Sequence, residues 1–99
     1  MADCYLVLYD LSSPKALRSA VRICRDHGLR RIQRSVFAGQ LNRFSYQELC
    51  RSFRPLAAGE HDSVLVLEVG QAALKRMISF PEDSLRDRLS APAAELLFL

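Results

Sequence analysis

The chain has 99 residues, 49% of them apolar and 25% charged, with a net charge of +3, which is the size and composition of one soluble globular domain. No apolar stretch is long enough to span a membrane, and no charged segment followed by an apolar core opens the chain, so we expect a cytoplasmic protein without a membrane partner. The three cysteines form no CxxC pair, which argues against a disulfide scaffold and a zinc ribbon.

Residues 4–11 predict a central β-strand. Apolar side chains occupy both the odd and the even positions of most of this segment: Cys4, Tyr5, Leu6, Val7, Leu8 and Tyr9. Successive side chains of a strand point to opposite faces of its sheet, so this strand is apolar on both faces. Such a strand is typical of a sheet that is covered on both sides.

An amphipathic helix is predicted after this strand. Ser13 is a candidate N-cap, and Pro14 is favoured at the first helical position. Gly28 is expected to end the helix in the left-handed conformation. Four apolar residues with helical spacing predict the face that packs on the core: Leu17, Ala20, Val21 and Cys24.

The middle of the chain predicts further strand structure and a second helix. Residues 29–41 contain β-branched and aromatic residues and predict one or two short strands. Ser45 and Glu48 have the spacing of a capping box, so we expect Ser45 to cap the second helix. This helix should continue to about Leu56 and end within residues 57–59.

The last predicted elements complete a recognisable order. Residues 64–69 predict a strand that is again apolar on both faces, and residues 76–80 are a candidate for a further strand. The order strand, helix, strand or hairpin, helix, strand is typical of an α+β, ferredoxin-like βαββαβ domain with an antiparallel sheet. We assign this domain to residues 1–80.

The ferredoxin-like order also predicts how the chain assembles. In this fold both helices cover one face of the sheet, whereas the two long predicted strands are apolar on both faces. The simplest cover for the second face is another copy of the chain, so we expect a sheet-to-sheet homodimer with two-fold symmetry. Residues 81–99 form a C-terminal extension whose last four residues are apolar, and we expect it to dock on the same or a partner subunit.

Positive charge is concentrated in the first half of the chain. Residues 15–54 hold ten basic and two acidic residues, a net charge of +8, whereas the rest of the chain holds four basic and nine acidic residues, a net charge of −5. Twelve of the fourteen basic residues are arginines, whose planar side chains bind phosphates with two hydrogen bonds. Six of them are candidates for nucleic-acid contacts: Arg18, Arg22, Arg25, Arg30, Arg31 and Arg34.

These arginines have two interpretations. They could form a solvated basic face, with Arg22 and Asp26 as an i, i+4 pair, or they could follow a phosphate backbone. Phe37 is a candidate for stacking on a base, although a phenylalanine in a strand is more often part of the core. Because aromatic residues are sparse here, the composition favours contacts to a duplex backbone over stacking on a single strand.

Asp10, at the end of the first predicted strand, is the candidate for chemistry. It could be a turn or capping carboxylate, or a ligand for a hard divalent cation such as Mg²⁺. One carboxylate is too few for a catalytic magnesium site, but a two-fold axis nearby would bring a second Asp10. His27 and His61 lack the spacing of a zinc site, and Cys24 and Cys50 lie on apolar helix faces as expected for inert thiols.

Two segments and one arginine form a recognisable pattern: the Tyr-Asp strand end at residues 9–13, Arg18, and above all the motif at residues 28–41. Within that motif the pattern positions are Gly28, Arg30 or Arg31, Gln33, Ser35, Val36 and Phe37. In these residues the sequence resembles the CRISPR-associated Cas2 family, the small core protein of spacer acquisition that partners the integrase. The likeness covers about residues 4–80.

The resemblance implies a ferredoxin-like homodimer that lies between integrase dimers and contacts the duplex DNA to be inserted. It further implies that two copies of Asp10 hold Mg²⁺ between the subunits of a metal-dependent endonuclease acting on RNA or DNA. Arg18 and Arg31 would then be the arginines of the family pattern, and Ser35 and Phe37 would lie near the site. In that family nuclease activity varies between members, and the acquisition role does not necessarily need it.

Two other functions stay open from the sequence. A ribonuclease toxin of related ferredoxin-like fold would use the same Asp10 chemistry on single-stranded RNA. A small-ligand regulatory dimer would need a pocket motif, and the sequence has no Walker-type loop and no GxGxxG.

Overall fold

The computed structural model describes residues 3–80. Its four strands and three α-helices follow in the order β1 (Asp3–Asp10), α1 (Pro14–Asp26), β2 (Arg30–Gln33), β3 (Val36–Leu41), α2 (Arg43–Phe53), a 3₁₀ helix (Arg54–Leu56), β4 (Ser63–Val69) and α3 (Gln71–Lys75). The strands form one sheet in the order β2-β3-β1-β4, and all neighbours are antiparallel. This confirms the predicted α+β, ferredoxin-like arrangement.

The core lies between one face of the sheet and the helices α1 and α2. Tyr5, Val7 and Tyr9 of β1 point into it, because alternate side chains of a strand share a face. Phe37, Leu49 and Cys24 meet them there, and all three are fully buried. Tyr5 stacks on Tyr46 with ring centroids 4.7 Å apart, which fixes α2 against β1.

The opposite face of the sheet is also apolar, as the two-sided pattern predicted. In the β1–β4 ladder, Leu6 lies opposite Leu67 and Leu8 lies opposite Leu65. Leu65 is 62% exposed and Leu67 is 53% exposed, so the helices leave this face open over its centre. We call Leu6, Leu8, Leu65 and Leu67 the open face.

The local signals at the two ends of α1 are confirmed. The Ser13 hydroxyl accepts a hydrogen bond from the Ala16 amide at 3.2 Å, and Pro14 is the first helical residue. Gly28 has a φ of +77°, the left-handed conformation that a side chain would disfavour. Its amide donates to the Arg25 carbonyl at 3.0 Å, so the chain leaves the helix toward β2.

One helix cap and one predicted strand differ from the structure. The capping box at Ser45 is wrong, because Asn42 is the N-cap of α2 and its side-chain oxygen accepts from the Ser45 amide at 2.8 Å. The turn after β3 places Asn42 where Ser45 was expected to act. The strand predicted at residues 76–80 is also wrong, because the five-residue helix α3 precedes this segment and residues 76–80 form no strand.

Within residues 3–80, no helix has both the length and the apolar character needed to cross a membrane. The predicted docking of the extension at residues 81–99 lies outside the described residues.

Candidate functional site

Asp10 occupies the position that the sequence predicted, as the last residue of β1. It lies opposite Ser63, the first residue of β4, and it is exposed. Among the residues that the structure describes, none donates a hydrogen bond to the Asp10 carboxylate or forms an ion pair with it. The carboxylate is therefore available to an added ligand.

The two sequence motifs meet beside Asp10. The Tyr9 amide donates to the Ser35 carbonyl at 3.1 Å, and the Tyr9 hydroxyl donates to the Arg34 carbonyl at 3.4 Å. These contacts join the end of β1 to the turn between β2 and β3, which the sequence separates by 25 residues. The Ser35 carbonyl thus contacts the residue that directly precedes Asp10.

Arg31 organises the same turn with its side chain. Its Nε and an Nη atom donate to the Arg34 carbonyl at 3.2 and 2.7 Å, and its guanidinium carbon lies 5.8 Å from the centre of the Phe37 ring. A guanidinium engaged in this way has fewer donors left for a phosphate. We call the residues from Gln33 to Val36 the arginine turn.

Phe37 takes no part in base stacking. Its ring is fully buried in the core, so the stacking interpretation is wrong and the core interpretation is confirmed. An exposed aromatic residue that sequence reasoning missed is Phe44, near the start of α2, which is 72% exposed. Helix periodicity alone could have placed Phe44 outside the apolar stripe of α2.

The other predicted arginines occupy three environments. Arg18, Arg22 and Arg25 are exposed on α1, and their spacing by four and three residues places them along one side of the helix. Arg34 is exposed in the arginine turn, whereas Arg30 is half-buried opposite Ala38. Three further exposed arginines extend the basic surface on α2 and the 3₁₀ helix: Arg43, Arg51 and Arg54.

Arg25 of α1 and Arg31 of β2 both influence the Tyr9 hydroxyl. Burial raises the pKa of Tyr9, and the nearby charges of Arg31 and Arg25 partly oppose this rise. Both guanidinium groups therefore lie within electrostatic reach of Tyr9, although they belong to different elements.

Asp62 is a second carboxylate at this corner, and the site prediction did not include it. Its Oδ1 accepts from the amide and from the hydroxyl of Ser12, both at 2.9 Å, and its Oδ2 accepts from the Gly59 amide at 2.9 Å. These hydrogen bonds, with that from Gly59 first, lower the pKa of Asp62. The Gly-x-x-Asp spacing at residues 59–62 is a turn signal that could have identified the Gly59 contact.

The remaining candidates for chemistry are structural. Burial raises the pKa of the Cys24 thiol to about 12, which confirms an inert, buried cysteine. Cys50 is half-buried. The His27 ring places Nδ1 2.8 Å from the Ile23 carbonyl at the end of α1, and His61 is exposed in a loop, as predicted.

The donors for a magnesium ion are few in one subunit. Across residues 3–80, no group of three or more His, Cys, Asp or Glu side chains is arranged to hold a metal. Mg²⁺, however, keeps several waters and is commonly bound through one or two carboxylates. The exposed and unengaged Asp10 fits such a site if a second copy of the chain supplies another Asp10.

An open pocket of about 440 Å³ lies at the other end of β1, lined by Asp3, Cys4 and Glu68 among others. An eight-residue strand is about 25 Å long, so this pocket is far from Asp10 and from the arginine turn. This pocket adds no ligand-binding motif that would support the function of a small-ligand regulatory dimer.

Comparison with known proteins converges on one family. The model of the family described as CRISPR associated protein Cas2 matches residues 3–77. A protein of Desulforudis audaxviator named CRISPR-associated endoribonuclease Cas2 is 27% identical over 93 residues, covering 88% of each chain. A protein of Pyrobaculum aerophilum named CRISPR-associated endoribonuclease Cas2 2 is 26% identical over 73 residues, covering 74% of this chain and 80% of its own.

Solved structures agree in fold. The crystal structure of Streptococcus pyogenes Cas2 at pH 6.5 superposes with a TM-score of 0.68 at 24% identity, covering 78% of this chain and 98% of its own. A further crystal structure, described as that of cas2, superposes with a TM-score of 0.62 at 25% identity, covering 72% of this chain and 79% of its own.

Proposed function

Because the chain belongs to the CRISPR-associated Cas2 family, we propose that it is a homodimeric subunit of spacer acquisition that binds duplex DNA and bridges integrase dimers. We further propose that it has Mg²⁺-dependent endonuclease activity on RNA or DNA. The relatives named endoribonucleases support the second role.

The observation that carries this proposal is the separation of three surfaces on one small domain. Exposed arginines lie on the helices and the arginine turn, exposed leucines lie on the other face of the sheet, and Asp10 lies at the end of the central strand β1. A basic surface suits a phosphate backbone, and an apolar face suits a second copy of the chain. The two contacts do not compete for the same residues.

Asp10 is the residue that would hold the metal, together with Asp10 of the second copy. When bound, Mg²⁺ supplies charge stabilisation and an activated water for phosphodiester hydrolysis. The chain's own contribution is the position of the carboxylate, between the arginine turn and the start of β4. Arg34 lies exposed in that turn, where its charge could hold the phosphate of a substrate near Asp10.

The ribonuclease-toxin alternative uses the same carboxylate, so the site alone does not separate the two. The match of the Cas2 family model over residues 3–77 favours the CRISPR role. A pull-down with the integrase subunit, followed by a spacer-integration assay, distinguishes them because a toxin has no place in integration.

The experiment that tests the site compares Asp10→Ala with Asp3→Ala. Both aspartates are exposed and lie at opposite ends of β1, so the second variant is a matched control. We expect Asp10→Ala to abolish Mg²⁺-dependent cleavage while dimerisation and duplex DNA binding persist. Asp3→Ala should keep all three.

Integration by the same purified Asp10→Ala protein then separates the two proposed roles. Integration without cleavage would assign Asp10 to chemistry that acquisition does not require. Cleavage that persists in Asp10→Ala, at the level of Asp3→Ala, would overturn the metal-site assignment.

A further inference from the structure

The carboxylates of Asp10 and Asp62 lie at the same corner of the sheet, but they differ in the hydrogen bonds that they accept. Asp62 accepts three hydrogen bonds, whereas Asp10 accepts none from the residues that the structure describes. The three hydrogen bonds use most of the roughly four lone-pair sites of the Asp62 carboxylate, so Asp10 has more of these sites left for a metal.

Asp62 connects the two chain segments that flank Asp10 in space, the start of β4 and the loop after β1. On one side, Asp10 lies opposite Ser63 in the β1–β4 ladder, and Ser63 directly follows Asp62. On the other side, Asp62 binds both the amide and the hydroxyl of Ser12, two residues after Asp10. The backbone that carries Asp10 is thus held at Asp10 itself by the pairing with β4 and again two residues later by the contacts of Ser12.

Two further contacts hold these segments in place. Leu11, between Asp10 and Ser12, is buried in the core. The Gly59 amide donates to the second oxygen of Asp62 and so sets the direction of its carboxylate. A Cβ at Gly59 would lie 2.8 Å from that oxygen, so the close contact depends on a glycine there.

We infer that Asp62 is a positioning residue for Asp10: by binding Ser12 it fixes the loop from β1 to α1, and so the direction in which the Asp10 carboxylate points. The inference deepens the proposed function, on which its link to Mg²⁺ rests. Positioning matters for a metal site because groups that orient a ligand typically change metal affinity 10- to 100-fold when they are removed.

The rival role for Asp62 is that of a second metal ligand in the same subunit. To act so, Asp62 would have to bind the metal through the lone-pair site that its three hydrogen bonds to Ser12 and Gly59, each 2.9 Å long, leave unused, or give up one of those bonds. Positioning uses the hydrogen bonds as they stand, and the two roles differ in what Asp62→Asn does. An asparagine keeps an oxygen for Ser12 but loses the negative charge and the acceptor for Gly59.

The test uses the full chain with Asp62→Ala, Asp62→Asn and Ser12→Ala, and with Glu60→Ala as an exposed control in the same turn. Three quantities are measured: hydrogen exchange of the Ser12 amide, the NMR signal of the Asp10 carboxyl carbon, and the affinity for Mn²⁺ as a spectroscopic substitute for Mg²⁺. The NMR signal reports on Asp10 whether or not a metal binds.

We expect Asp62→Ala to speed Ser12 exchange, shift the Asp10 signal and weaken Mn²⁺ binding at least tenfold. Asp62→Asn should restore most of the Asp10 signal and of the Mn²⁺ affinity, and Ser12→Ala should lie between wild type and Asp62→Ala. In cleavage assays kcat should fall in Asp62→Ala while KM for the nucleic acid stays unchanged, because the arginines that bind it are untouched. Glu60→Ala should behave as wild type.

The possible failures are distinguishable. An unchanged Asp10 signal in Asp62→Ala would overturn the positioning role. Loss of Mn²⁺ binding in Asp62→Asn as complete as in Asp10→Ala would overturn it too, in favour of a ligand role. Mn²⁺ binding that Asp10→Ala leaves intact would overturn the proposed metal site, and the Asp10 signal would still decide whether Asp62 positions Asp10.

Discussion

The two faces of the sheet carry similar apolar side chains in very different surroundings. On the helix side, Val7 and Phe37 are completely buried. On the open face, Leu65 and Leu67 keep more than half of their surface exposed, although both belong to a strand that pairs with β1. Residues 3–80 therefore complete only one of the two apolar layers of the sheet.

The difference separates stability from assembly. Side chains on the helix side determine whether one subunit folds, because their burial is complete without a partner. Leucines of the open face gain burial only when something covers them, and under the proposed function that cover is a second subunit. Each face then predicts a different response to substitution.

The largest expected effect is on the helix side, at Phe37. Phe37→Ala should destabilise the subunit by about 3–5 kcal/mol, because it leaves a cavity under the helices. Phe44→Ala makes the same change at an aromatic residue that is 72% exposed, and it should alter stability by less than about 0.5 kcal/mol. Urea unfolding measures both, and equal losses would contradict the assignment of the core.

The next effect concerns the open face. The double variant Leu65→Glu and Leu67→Glu should convert the proposed dimer into a monomer that keeps its fold, because charges buried in an interface without partners oppose association. Gln47→Glu, an exposed change on α2, is the control for added charge and should leave the dimer intact. Sedimentation gives the mass and circular dichroism reports the fold.

If the wild-type protein sediments only as a single chain across the micromolar range, the proposed dimer through the open face is wrong.

A smaller effect is expected at the basic surface on α1. Replacing Arg18, Arg22 and Arg25 by Gln should flatten the salt dependence of duplex DNA binding, by about 0.9 log units per log unit of salt for each phosphate that the variant no longer neutralises. Arg76→Gln is the control, because Arg76 lies outside the basic segment at residues 15–54. A slope that the triple variant does not change would show that α1 binds no phosphates.

Arg31 differs from the arginines of α1 in what its side chain already binds. Its guanidinium already donates to the Arg34 carbonyl, so Arg31→Gln should act mainly through the arginine turn. We expect it to lower cleavage more than it lowers the salt slope.

The sequence predicts those parts of the fold that depend on residues close together in the chain. The two-sided strand β1 and the caps Ser13 and Gly28 depend on neighbouring residues, and all were predicted correctly. The second helix was placed with the wrong cap, because Asn42 and Ser45 are both good capping residues and the turn after β3 decides between them. That choice depends on where β3 ends.

The site was less accessible to sequence reasoning than the fold. Asp10 could be identified from its place at a strand end, but the role of Asp62 depends on Ser12, which is 50 residues away in the chain. Arg31 was counted among the phosphate-binding arginines, and only its folded neighbours reveal that it holds a turn. Contacts between distant segments are what composition and spacing leave out.

The smallest expected effect compares the same chemical group on the two faces. Cys24 is fully buried on the helix side, and burial raises the pKa of its thiol to about 12, whereas Cys4 is half-buried and lies on the opposite side of β1 from Tyr5. Only the thiolate reacts readily with alkylating reagents. At pH 8 we therefore expect Cys4 to be alkylated before Cys24 in the folded protein.

The same burial gives Cys24 a defined effect on stability at alkaline pH. Its folded pKa of about 12 exceeds the ordinary value of 9.0, so its contribution to stability is complete below pH 9 and is lost as the pH rises toward 12. Cys24→Ala removes the titrating group, and its stability should fall less steeply over this interval than that of the wild type. Mass spectrometry of alkylated protein and urea unfolding between pH 8 and 11 measure the two effects. Alkylation of Cys24 as fast as that of Cys4 would mean that the helix side admits water, and the contrast between the two faces would then be one of degree.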